Sequence, residues 1–170
     1  KAADRVIGGL ESGKIMSPEE RRIVAYHEAG HAVAGWMLPG ADPLLKVTII
    51  PRGSGALGYA QYLPKELFLR TQEQIMDTVC MALAGRASEQ TFFGNVTTGA
   101  SDDLRRVTSI VHQLVTSYGM SPKVGQVSYP RDDNQFGPSE RLYSESTAQL
   151  FDSEIKEMID SAYERTLQLM

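Results

Sequence analysis

Residues 23–38, IVAYHEAGHAVAGWML, constrain this chain more than any other stretch. Ser17-Pro18-Glu19-Glu20 before them is a helix start: Ser17 can cap, Pro18 suits the first helical position, and Glu20 completes a capping box. Pro39-Gly40 is a stop. The pattern predicts a helix over residues 18–38, apolar all round and therefore buried. Below the tyrosine range, its only ionisable groups after residue 22 are His27, Glu28 and His31. Buried polar groups need partners. The spacing is HExxH, which sets two imidazoles one helical turn apart on one face with a carboxylate beside them. Two neutral imidazoles can grip one Zn²⁺, and the glutamate can take a proton from water, the minimal equipment for metal-assisted peptide hydrolysis. The bland alternative is a chance motif whose histidines are merely hydrogen-bonded in a core.

The remaining composition narrows the classes. A chain of 170 residues can bury one real core. With 17 basic against 21 acidic residues and no basic cluster, nucleic-acid binding is not expected. One cysteine, Cys80, excludes an internal disulfide framework and sits in an apolar helical stretch, so a buried thiol is expected. No apolar run is long enough to span a bilayer and no signal peptide is visible. The chain starts with Lys1, which reads as a processed chain or a piece of a longer one.

Residues 1–16 are mixed and glycine-broken, expected as a short helix and linker. Residues 44–50 (LLKVTII) read as a strand with Leu45, Val47 and Ile49 inward and Lys46 and Thr48 outward. Residues 57–63 read as a second strand, and the two pair as a hairpin. Thr71 and Gln74 form another capping box, opening a helix to about Phe93. A third helix starts at Thr98 or Ser101 and ends near Tyr118-Gly119. Residues 126–129 are a candidate short strand, 131–141 a polar loop, and a long helix runs from about Ser144 to the end. The expected fold class is mainly α, with a small β-hairpin next to the HExxH helix.

A catalytic zinc takes three protein ligands. Ala34 and Met37 stand where an extended histidine pattern would need Gly and His. At about 100° per residue, Asp103 falls in the apolar arc of Val107, Ile110, Val111, Leu114 and Tyr118, Asp102 points aside, and His112 lies opposite. Asp103 is thus the candidate third ligand, although both aspartates also suit a helix N-terminus without any metal. Glu89 is the other candidate, with Arg86 three residues away as its expected ion-pair partner. Gly55, Ala56, Leu57, Gly58, Tyr59, Ala60 and Gln61 offer small residues that would let an extended substrate pair with a strand edge. An ordinary hairpin strand with glycine bulges explains them equally.

HEAGHA at 27–32, LLKVTIIPRG at 44–53, ALGYAQYLP at 56–64, MALAGRASE at 81–89 and TTGASDDL at 97–104 occur in this order. Together they resemble the protease domain of FtsH-type AAA+ zinc metalloproteases. The wording of ADPLLKV and LGYAQYLP is most similar to the mitochondrial m-AAA branch, the paraplegin and AFG3-like group. The likeness runs from about residue 4 to 170. It implies one Zn²⁺ per chain held by His27, His31 and Asp103, with Glu28 as general base. It also implies a homo- or hetero-hexameric ring under an AAA+ ATPase ring that threads unfolded polypeptides. The chain lacks a GxxxxGK[ST] phosphate loop and membrane helices. ATP and membrane attachment are therefore expected only in parts outside it, with residues 1–16 as the tail of the ATPase module plus linker and 17–170 as the protease domain. The resemblance implies the mitochondrial inner membrane, facing the matrix, with the cytoplasmic face of a bacterial inner membrane as runner-up. Two other classes remain: a non-catalytic assembly module with a structural metal, and a free-standing zinc peptidase. The group that stabilises the oxyanion stays open between Tyr59, Tyr118 and backbone amides.

Overall fold

Ser17 closes the first helix as its sequence demands: its hydroxyl accepts the Glu20 N–H while the Glu20 carboxylate accepts the Ser17 N–H. Thr71 and Gln74 repeat the exchange at the next long helix. Each such cap contributes about 1 kcal/mol. The computed structural model describes residues 15–51, 57–65, 67–129 and 143–170. Their order is α1 (Pro18–Met37), β1 (Leu44–Thr48), β2 (Tyr59–Tyr62), α2 (Gln72–Phe93), a 3₁₀ turn (Thr98–Ala100), α3 (Ser101–Thr116) and α4 (Glu145–Leu169). This is the expected mainly helical fold with one antiparallel hairpin. The 3₁₀ turn runs straight into α3, so both proposed starts of that helix are used. Residues 1–14, most of the expected linker, lie outside the described residues, as does the loop at 131–141.

α2 is the central element. It packs against α1, α3 and α4, and is buried from Asp77 to Glu89 except at half-buried Arg86. Val79, Leu83, Val107, Val111, Leu114 and Phe151 build the core around it. α1 comes close to α2 because Gly30 has no side chain: a Cβ there would lie 2.4 Å from the Ala84 carbonyl oxygen. Ser88 Oγ ties the same crossing by donating to the Tyr26 carbonyl at 2.7 Å.

Three expectations need correction. α1 is not buried all round: Trp36 is 88% and Met37 54% exposed, while the residues hidden on its inner face are His27, Glu28, Gly30, His31 and Ala34. Close approach of α2 requires small residues at the contact, so the bulky apolar ones are turned outward. In β1 the inward face is reversed at its ends: Leu45 is exposed and Thr48 buried. A bulge between Leu44 and Lys46 shifts the register against β2, where Val47 faces Ala60 and Thr48 faces Tyr59. Residues 126–129 are not a strand. One backbone bond from Tyr129 to the Thr116 carbonyl and one from Ser128 Oγ to Ser117 hold the segment, and the Tyr129 ring packs on Tyr143 and Phe151.

Candidate metal centre

α1 carries His27 and His31 one turn apart, and α2 passes beneath them. His27 Nδ1 lies 2.6 Å from Glu89 Oε1, and His31 Nδ1 lies 2.8 Å from the Met81 carbonyl. Both partners are acceptors, so each Nδ1 bears the hydrogen and donates it, an assignment made from the partners. The two Nε2 atoms of the neutral rings then present lone pairs, and they stand 3.1 Å apart. Asp103, in the first turn of α3, brings Oδ2 to 3.3 Å from one and 3.6 Å from the other.

Three acceptor atoms gathered without a hydrogen between them repel one another unless a cation lies among them. Ligand atoms about 2.0–2.2 Å from a tetrahedral ion stand roughly 3.3–3.6 Å apart, close to the spacing here. The donor set, two imidazoles and one carboxylate, suits zinc with a further position open. Gly85 keeps the cradle clear: a Cβ there would sit 2.5 Å from His27 Nε2 and 2.6 Å from His31 Nε2. The residues present therefore fit the ion.

The electrostatics favour positive charge at the same point. Burial pushes His27 down, but the Asp103, Glu89 and Glu28 carboxylates outweigh it and leave its pKa raised. Burial pushes Asp103 up, yet both histidines hold it well below the usual carboxylate range. Glu28 is 6% exposed. Burial raises its pKa, protonation of His31 or His27 would oppose this, and the Asp103 carboxylate adds to it. A raised carboxyl pKa is the direction a general base near neutral pH needs.

These groups open into a cleft of about 830 Å³ between α1, β2 and α3. Leu57, Gly58, Tyr59 and Ala60 line it, whereas Gln61 does not. Gly58 abuts the base, since a Cβ there would lie 2.7 Å from Glu28 Oε1. Gly55 and Ala56 lie outside the described residues. Tyr59 lines the cleft; Tyr118 does not, and is exposed beyond the C-terminal end of α3. His112 is half-buried beside Thr116 and is not part of the cluster.

Glu89 is the main surprise. Its expected pairing with Arg86 is replaced by His27 on one oxygen and the Thr97 N–H, at 2.6 Å, on the other. At 1% exposure it holds the His27 ring instead of pairing with Arg86. Its place on the apolar side of α2 was readable; a partner 62 residues away was not. Gly85 was missed as well, though a glycine inside a well-capped helix is itself a signal.

An imidazole pair, a carboxylate, a buried base and an open cleft define a site built for metal-assisted hydrolysis. The profile of peptidase family M41 matches residues 14–170. The chain is 56% identical over 173 residues to the mitochondrial inner membrane m-AAA protease component AFG3L2 of Mus musculus, covering 100% of this chain and 21% of that one. It is 52% identical over 170 residues to the mitochondrial ATP-dependent zinc metalloprotease FTSH 3 of Oryza sativa subsp. japonica, covering 99% and 21%. It is 49% identical over 174 residues to the ATP-dependent zinc metalloprotease FtsH of Rhodothermus marinus, covering 100% and 25%. The chain belongs to peptidase family M41 and is a metalloprotease domain of the FtsH type. It spans about a fifth to a quarter of the length of these curated relatives.

Proposed function

We propose that this domain cleaves unfolded or misassembled polypeptides as the proteolytic part of an ATP-dependent, membrane-anchored protease. The observation that carries the reading is the convergence of His27 Nε2, His31 Nε2 and Asp103 Oδ2 beside buried Glu28. His27, His31 and Asp103 would hold the zinc. Bound there, zinc supplies Lewis acidity for the scissile carbonyl and for water. Glu28 takes the proton of the attacking water and delivers it to the leaving amine nitrogen. Glu89 and the Met81 carbonyl keep both rings in the tautomer that leaves Nε2 free. Leu57–Ala60 border the cleft where an extended backbone would lie, and small Gly58 and Ala60 permit close approach.

The names of the relatives support a mitochondrial inner-membrane setting and ATP dependence. To these we add a matrix-facing side, an ATPase module in the same parent chain with residues 1–16 as its tail, and a homo- or hetero-hexameric ring. Exposed Trp36, Phe68 and Leu69 are consistent with surfaces covered by other subunits. No helix among the described residues is long and apolar enough to cross a membrane. A non-catalytic assembly role would leave Glu28 without a use.

Glu28→Gln tests the reading. Zinc content should be unchanged while chelator-sensitive casein cleavage falls by about 10²–10⁴. Wild-type rates in Glu28→Gln would overturn it.

A further inference from the structure

Accepting the cleft as a peptide site, we propose that Arg106 is a specificity residue that receives a carboxylate of the substrate. The charged residues lining the cleft are Glu20, Glu28, Glu89, Asp102, Asp103 and Arg106, so Arg106 is its one lysine or arginine among the described residues. It lies three positions beyond Asp103 on α3 and thus on the same face, about one turn further along. Its neighbour Arg105 is engaged by Asp102. No ion pair engages Arg106 among the described residues.

The opposite wall of the same cleft is β2, where Tyr59, Ala60 and Tyr62 line it. A peptide laid along β2 would run through the cleft that Arg106 lines together with His27, Glu28, His31 and Asp103. The other charged side chains that line the cleft are carboxylates, which repel an acidic substrate group and leave Arg106 as the lining cation of permanent charge. Arg106 offers a planar fork that matches a carboxylate with two parallel hydrogen bonds, and it is exposed, so it need not break an existing pair. The carboxylate can come from an internal Asp or Glu or from a free C-terminus. Both present the same group.

The test uses the full-length zinc-loaded protein carrying Glu28→Gln, so that bound peptides are not cut. Binding of short fluorescent peptides is measured by anisotropy with an internal Glu, with Gln in its place, and with free or amidated C-termini. In this background Arg106→Met should lower the preference for the carboxylate-bearing peptide about fivefold, and Arg106→Glu should reverse it. Arg106→Lys should restore part of it, because a point charge replaces the fork. An effect confined to the internal Glu peptides assigns the side chain as ligand, and one confined to free C-termini assigns the terminus. Either supports the proposal. Equal weakening of all peptides, or an unchanged preference, overturns it and leaves the peptidase reading standing. Absence of any peptide binding before Arg106 is altered overturns both.

Discussion

Two buried polar clusters flank α2, and they are satisfied in opposite ways. Near its start, Asp77 is 2% exposed. One of its oxygens accepts the Gly40 N–H at 2.8 Å and the other accepts from Arg165 at 2.7 Å. Donors meet acceptors and the charges cancel within the chain. Further along, His27, His31 and Asp103 set three acceptors together with no donor between them. Both clusters join helices distant in sequence, yet only the second requires something from outside. A buried polar group with its partner supplied by the fold is structural; a buried group with its partner withheld is a site.

The largest effect should come from breaking the self-sufficient cluster. Asp77→Ala removes the acceptor of both Gly40 and Arg165 and should destabilise the domain by about 2–3 kcal/mol. Thermal unfolding should shift down by roughly 5–10 °C, with zinc stoichiometry retained.

Breaking the other cluster should do the reverse. In Glu89→Gln the amide oxygen cannot face both His27 and Thr97. If it serves Thr97, the NH₂ meets the His27 Nδ1–H and favours the tautomer that blocks Nε2. Zinc affinity should fall roughly 10–100-fold in competition with a chelator, with little change in the melting of the metal-free protein. If Glu89→Gln unfolded the metal-free protein while Asp77→Ala lost zinc, the contrast between the clusters would be wrong.

A third buried carboxylate sharpens the comparison with the smallest effect. Glu154 accepts Ser121 Oγ at 2.6 Å and pairs with Lys123 at 2.7 Å. Burial pushes its pKa up, but Lys123 and Ser121 outweigh this and hold it below the ordinary 4.5. Its folded pKa is therefore depressed, so its contribution is complete above the unfolded value and is lost as pH falls through the folded one. Denaturant melts below pH 4.5 should show a shallower acid loss for Glu154→Gln than for the parent chain, and the two should run parallel near neutrality. Parallel curves throughout would remove Glu154 from the acid response.

Much of the site was legible because its signals are local. Capping boxes act over three residues, HExxH over four, and the arc of α3 over three turns. Asp103 emerged from that arc because an acid on an apolar face needs a cation. Glu89 and Gly85 were harder: the first takes its role from a ring on another helix, the second from the space it leaves under two rings. α3 also shows how a second neighbour widens a face. Val115 and Thr116 lie outside the expected arc, yet both are buried; this helix packs on α4 as well as on α2, and the Tyr129 N–H reaches the Thr116 carbonyl.

Residue order by itself determined where the helices begin, which side chains can share a face, and that two imidazoles one turn apart share a face with Asp103 as a candidate partner on another helix. These follow from short-range geometry that any helix of this sequence must obey. The tertiary structure alone decided that α1 turns Trp36 outward, that Glu89 serves His27 instead of Arg86, and that Arg106 looks into the same cleft as the base. Such choices depend on how closely two helices can approach and which distant group then completes a hydrogen bond, and neither is set by neighbours along the chain.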